Sequence, residues 1–88
     1  MPYIKPEDRK VFDERLWMIS TDIESPGELN FCITKLCYEY LAPLSGANYQ
    51  DYNEVIGVLE CAKAEIYRRL VSVYEDQKKF ENGDVYHD

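Results

Sequence analysis

The sequence contains little of what catalysis and metal binding require. Its 88 residues include a single histidine, His87, at a chain end that we expect to fray. Nucleophilic catalysis usually needs a base beside the nucleophile, most often histidine. Cys32 and Cys37 are five residues apart and would lie on different faces of a helix, while Cys61 makes the cysteine count odd. We therefore expect no enzyme activity, no metal, no cofactor, and reduced cysteines that are mostly buried.

Long apolar runs are also missing. No stretch approaches the ~20 apolar residues that a membrane helix needs. The residues Met1–Pro6 are too few and too polar to form a leader. We expect a cytoplasmic protein that does not contact the membrane.

Positive charge is scarce: 17 acidic residues stand against 10 basic ones, for a net charge of −7. An acidic chain is repelled by phosphate backbones, so we expect no direct nucleic-acid binding. The acidic surface has two interpretations, an ordinary solvated surface or one that caps a basic partner, as a nucleic-acid mimic would. Eight tyrosines supply apolar area with a polar tip, which suits interfaces and ligand pockets as well as cores.

Two helices are predicted in the first half of the chain. The first begins near Pro6, and its apolar residues recur at intervals of four, three and four. Those residues are Phe12, Leu16, Ile19 and Ile23. Ser25 then caps a second helix with Pro26 at its first position and Glu28 placed to reach back to the cap. This helix ends before Pro43, and its broad apolar arc predicts the most buried element.

A long third helix is predicted over residues 51–79, after a loop at residues 44–50 and a cap by Asp51 or Asn48. At 1.5 Å per residue it would be about 45 Å long, whereas the second helix would reach about 24 Å. Its near-heptad apolar stripe suits antiparallel packing on the second helix or a coiled-coil seam. The stripe consists of Val55, Leu59, Ala62, Ile66, Leu70 and Val73.

The second helix can cover only about half of the third, yet the stripe continues beyond it. A partner protomer would cover the remainder, and a frayed, solvated C-terminal half is the alternative. A domain of this size is also marginal alone. We therefore predict one all-α domain over residues 1–88, with an N-terminal helix and two antiparallel helices, completed as a bundle by homo-oligomerisation.

Candidate binding residues lie on the other face of the third helix. Lys63 and Tyr67 are four residues apart and share a face, and Arg68 and Arg69 follow. Arginine grips phosphate and tyrosine stacks on a base, so these residues suit a nucleotide-like anion. The alternative is that the arginines pair with acids such as Glu65.

Gly57 lies in the interior of this helix, where glycine costs stability. Close packing of another helix, or close approach of a ligand or a second protomer, would account for it. A small-residue and polar stripe runs through Gly57 with Asn53, Glu60 and Ala64, and Asn30 of the second helix could face it. Apolar residues at both chain ends, among them Tyr3 and Val85, indicate either tails tied to a surface or frayed ends.

Four strings carry a resemblance to a family: residues 1–4 (MPYI), 26–30 (PGELN), 53–60 (NEVIGVLE) and 81–86 (ENGDVY). Together they resemble a family of small, functionally uncharacterised proteins of phages and bacteria. By analogy of type with small phage proteins, the resemblance implies an antagonist of host defence. Some such proteins are helical oligomers that sequester cyclic nucleotide signals between protomers.

From the sequence we therefore expect a non-enzymatic binding protein that holds a small anionic, nucleotide-like ligand between protomers. The alternative is a protein–protein inhibitor whose acidic surface caps a basic host protein. The predicted ligand-binding residues are Tyr3, Asn30, Asn53, Gly57, Glu60, Lys63, Tyr67, Arg68 and Arg69.

Overall fold

The computed structural model describes residues 1–43 and 45–86, and all of its regular structure is helical. Helix α1 spans Pro6–Asp22 and α2 spans Pro26–Leu41. The last helical run is 34 residues long and comprises α3 (Tyr49–Ile66), a π-helical segment (Tyr67–Val71) and α4 (Ser72–Asn82). The described residues contain no strand. The prediction of an all-α chain with a long last helix is confirmed, while Leu44 of the predicted loop and His87 lie outside the described residues.

Side-chain caps fix the starts of α2 and α3. The Ser25 hydroxyl accepts a hydrogen bond from the Glu28 backbone N–H (3.1 Å), and the Glu28 carboxylate accepts one from the Glu24 N–H (2.7 Å). Glu28 therefore reaches one residue further back than the predicted cap residue. Asn48 and Asp51 exchange two bonds, each side chain accepting from the other's backbone N–H at 3.1 and 2.9 Å. Asn48 is thus the cap of α3, which begins two residues earlier than predicted.

The helix ends also follow local sequence. Helix α2 ends at Leu41, two residues before Pro43, which has no backbone N–H to continue it. Helix α4 continues to Asn82, three residues beyond the predicted end, and stops at Gly83. The φ of Gly83 is +92°, a conformation that residues with a side chain rarely adopt.

The chain divides into two compact units. An N-terminal unit holds Pro2–Val55, and a C-terminal unit holds Ile56–Asp88 together with Met1. In the N-terminal unit, the Arg9 guanidinium donates from Nε to the Ile4 carbonyl oxygen at 2.8 Å, which ties the first residues to the start of α1. The single domain and the antiparallel packing of the two later helices stay predictions.

None of the described residues is buried, so the isolated chain has no hydrophobic core in the part that the structure describes. The prediction that the second helix is the most buried is wrong here, because Phe31 and Leu36 of α2 are 67% and 65% exposed. Only Cys32, Cys37 and Leu41 of that helix are half-buried. Helices of this length gain most of their stability from tertiary packing, and cover of these faces by a second protomer stays a prediction.

All three cysteines are free; Cys32 and Cys37 are half-buried and Cys61 is exposed, so the expectation of mostly buried cysteines is wrong. No helix in the described part of the chain is both long and apolar enough to cross a membrane.

Candidate ligand groove at the π-helical segment

The π-helical segment Tyr67–Val71 interrupts the helix that the sequence predicts as continuous. Its last bond runs from the Ser72 N–H to the Tyr67 carbonyl oxygen, five residues back instead of four. One extra residue per turn rotates everything after it by about 100° relative to an unbroken α-helix. The segment therefore decides which side chains of α3 and α4 share a face.

This rotation corrects the predicted apolar stripe. In an uninterrupted helix Leu70 and Val73 would continue the line of Val55 and Leu59. In the structure Leu70 is 66% and Val73 63% exposed, whereas Val71 is half-buried. Of the predicted stripe, Val55 and Leu59 are half-buried, whereas Ala62 and Ile66 are exposed before the π turn is reached. Beyond the turn, the extra residue places Val71 instead of Leu70 on the line of Leu59.

The opposite side of the segment forms a shallow groove with a volume of about 440 Å³. Four of the nine predicted ligand-binding residues line it. The full lining is Glu60, Lys63, Ala64, Tyr67, Arg68 and Ser72. Ser72 was not predicted. The rotation at the π turn moves it from the edge beside Arg68 toward the middle of this face, and no local sequence signal announces that turn.

Both cations of the groove have acidic partners on their own helix. The Lys63 ammonium lies 3.8 Å from a Glu60 carboxylate oxygen, and the Arg68 guanidinium lies 2.9 Å from Glu65. The Glu65 side chain is only 22% exposed, so its pair with Arg68 is the better shielded of the two. The alternative that the arginines pair with acids is thereby confirmed for Arg68.

The Tyr67 side chain is held along the helix by Glu75. Its hydroxyl donates a 2.8 Å hydrogen bond to a Glu75 carboxylate oxygen eight residues away. Residues eight apart point about 80° apart on an α-helix, and the extra residue of the π turn nearly cancels this angle. The hydrogen bond to Glu75, and then the negative charge of Glu75, raise the pKa of Tyr67 above its ordinary value.

The other predicted residues do not line the groove. Arg69 belongs to the π segment, and Gly57 lies one turn before Glu60. Tyr3, Asn30 and Asn53 belong to the N-terminal unit. The Asn30 side-chain oxygen already accepts a 3.0 Å hydrogen bond from the Thr34 hydroxyl.

A second shallow cleft lies at the end of α4, with a volume of about 420 Å³. After Gly83 the chain turns so that Val85 and Tyr86 line this cleft together with residues of α4. Both side chains stay largely exposed, at 89% and 84%. The C-terminal tail is therefore placed beside its own helix without being covered.

The chemistry available in the groove is ionic and aromatic. In residues 1–43 and 45–86, no three histidine, cysteine, aspartate or glutamate side chains are grouped to hold a metal ion. A cation pair, an aromatic ring, a hydroxyl and carboxylates remain. Together they can bind an anion that also carries hydrogen-bond donors and a flat ring.

Comparison with known proteins places the chain in a family. Residues 1–85 match the family model described as Domain of unknown function (DUF6899). This chain belongs to that family. No curated protein and no solved structure matches it.

Proposed function

We propose that this DUF6899 chain is a non-enzymatic binding protein that holds a small anionic, nucleotide-like ligand in a pocket between protomers. The observation that carries the proposal is the groove at the π segment, which combines Lys63, Tyr67 and Arg68 on one surface. Its volume of about 440 Å³ is within the range of small-molecule sites. Because it lies on the surface of one helical run, a second wall must come from elsewhere.

Each side chain has a role that follows from its chemistry. Arg68 binds a phosphate through two parallel N–H donors, and Lys63 adds a compact positive charge. Tyr67 offers a ring face to a base, with its hydroxyl restrained by Glu75. Glu60 accepts hydrogen bonds from the hydroxyl or amino groups of a nucleoside.

The existing ion pairs do not prevent this binding. An incoming phosphate replaces Glu60 at Lys63 and Glu65 at Arg68, and both pairs lie at the surface, where ion pairs contribute little. Replacing Glu65 is the harder step because its side chain is only 22% exposed. The exchange favours ligands with two or more negative charges over singly charged ones.

The biological setting belongs to the same proposal. A protein that binds a nucleotide signal without converting it acts by sequestration. This suits the phage-type antagonist of host defence that the sequence resemblance implies, with a cyclic nucleotide as the signal and the host cytoplasm as the compartment.

A thermal-shift panel tests the binding function. The panel contains inorganic phosphate, linear nucleotides, and cyclic mono- and dinucleotides. A true ligand at about 100 times its Kd should raise Tm by roughly 10–20 °C, from the linkage energy and the size of the domain. Arg68→Ala should abolish the shift. Lys35→Ala, which removes a similar exposed pair with Glu39 on α2, should leave it unchanged.

A second candidate is a protein–protein inhibitor that caps a basic host protein. The pairing of Lys63 and Arg68 with acids favours it, because the groove cations are partly neutralised within the chain. Binding of a basic partner should weaken steeply with salt. If no nucleotide shifts Tm and one host protein is captured in a salt-sensitive manner, this second function replaces the first.

A further inference from the structure

Besides Arg68, four charged residues of the C-terminal unit lie along the groove side of the last helical run. Glu60 and Lys63 line the groove beside Tyr67. Glu75 bonds to the Tyr67 hydroxyl, which places it on the same side. Lys78 follows Glu75 by three residues, the spacing of side chains that share a helix face, and lies over the Tyr74 ring.

The signs and spacings of these four residues form a self-complementary pattern. In chain order the charges are negative, positive, negative and positive, with intervals of three, twelve and three residues. Read from the C-terminal end, the pattern has the same intervals, and each charge has the opposite sign. A second copy running antiparallel therefore meets each of these four charges with its opposite in one register: Glu60 faces Lys78, and Lys63 faces Glu75. Arg68, which also lines the groove, has no acidic counterpart in this register.

We propose that this face is the contact between two copies of the chain, related by a two-fold axis that passes near Arg69. The inference rests on the proposed function and deepens it, because the second copy supplies the missing wall of the groove. In this register its Glu75 and Lys78 lie over Lys63 and Glu60. Self-complementarity of this kind is what an isologous interface requires, and it favours a second copy over an unrelated partner.

Small residues on the same run permit a close approach. Gly57, Ala64 and Ser72 are separated by seven and eight residues, and the longer interval includes the extra residue of the π turn. A Cβ at Gly57 would meet no atom of the described chain within 4 Å. Its own chain therefore gives no packing reason for a glycine that costs helix stability, whereas a partner helix would.

The charges set the direction and register of the contact, and apolar area supplies the affinity. Surface ion pairs add little energy, but juxtaposed like charges strongly suppress a wrong arrangement. Ile56 and Tyr67 are 59% and 49% exposed in the isolated chain and are available to be covered. Parallel pairing in register would instead place each of the four charges against its like.

A charge-segregated pair of variants tests whether these four residues form the contact. Variant A carries Lys63→Glu and Lys78→Glu, so that all four positions are acidic. Variant B carries Glu60→Lys and Glu75→Lys, so that all four are basic. By sedimentation equilibrium each variant alone should dissociate with a Kd raised roughly 100-fold or more. Mixing A and B should restore association as a one-to-one heterodimer, seen by native mass spectrometry.

A control matched to variant A has the same change in net charge elsewhere. Lys10→Glu with Lys35→Glu alters two exposed lysines of α1 and α2 and should keep the Kd of the unmodified chain. The proposal is overturned if A and B alone associate as the unmodified chain does, or if mixing them yields no heterodimer. If A and B lose helix content alone, recovery of the circular dichroism signal on mixing supports it and no recovery overturns it.

The two proposals fail separately. If variants A and B form the heterodimer but no nucleotide raises the Tm of the unmodified chain, the interface is supported and the proposed ligand is contradicted. If the unmodified chain is monomeric but a nucleotide raises its Tm, the ligand is supported and the interface between copies is contradicted.

Discussion

The start of α2 and the π segment are both departures from regular helix, and side chains hold them over different distances. At the start of α2, Ser25, Glu28 and Glu24 complete two bonds within five consecutive residues. At the π segment, the bond from Tyr67 to Glu75 spans eight residues and crosses the extra residue of the π turn, which brings the two side chains to one face. The cap of α2 is specified by adjacent residues. The bond at the π segment depends on how many residues and turns lie between Tyr67 and Glu75.

The difference has a consequence for function. The caps determine at which residue α2 and α3 begin. The π segment determines which side chains of the last helical run lie on each face. It moves Val71 into the half-buried line of α3 and brings Ser72 to the groove. A local insertion in one turn thus sets both faces of the last helical run.

Deleting one residue should have the largest effect, and the effect should differ between the π segment and the regular helix α3. Leu70 in the π segment and Val58 in α3 are equally exposed, at 66%. Deleting Leu70 lets the π turn become an α turn and keeps the later side chains on their faces. Deleting Val58 rotates every later side chain by about 100°. We expect Tm to fall by more than about 10 °C for the Val58 deletion and by under about 8 °C for the Leu70 deletion.

Circular dichroism melting of both deletions provides the measurement. If the Tm of the Leu70 deletion were as low as that of the Val58 deletion, removing one residue from the π segment would not keep the later side chains on their faces. Hydrogen exchange at the amides of residues 67–72 would then show whether the α turn forms.

Removing a helix cap should have the next largest effect. Ser25→Ala and Asn48→Ala each leave a backbone N–H of the first turn without its side-chain acceptor. Each should lower the free energy of unfolding by about 1 kcal/mol, as measured by urea denaturation.

The matched control is Ser20→Ala in α1. The Ser20 hydroxyl donates to the Trp17 carbonyl inside the helix, where alanine is the better helix former. This variant should be neutral or more stable. If Ser20→Ala lowered the free energy of unfolding as much as Ser25→Ala does, loss of the cap bond would not explain the effect at Ser25.

The sequence predicts the helix boundaries because their causes are local. Ser25, Asn48 and Gly83 act through their own or adjacent backbone groups, and the third helix is misplaced by only two or three residues at either end. Lys63, Tyr67 and Arg68 are brought into one groove as their spacing indicated. Ser72 is missed because its position depends on a hydrogen-bond shift that no residue type specifies. The burial expected for α2 also fails, because apolar spacing does not say which surface provides the cover.

The smallest expected effect is the clearest reporter of the π register, and it concerns the ionisation of Tyr67. Its pKa is raised by the hydrogen bond to Glu75 and by that carboxylate's charge. Because the folded pKa lies above the unfolded value, the stabilisation is complete below about pH 10 and is lost as pH rises through the folded pKa. In Glu75→Gln the pKa should return toward its ordinary value, measured by NMR of ring-labelled tyrosine. The Leu70 deletion should leave the pKa raised, since an α turn in place of the π turn keeps Glu75 on the same face as Tyr67. A pKa that returned to its ordinary value in this deletion would mean that the later side chains do not keep their faces.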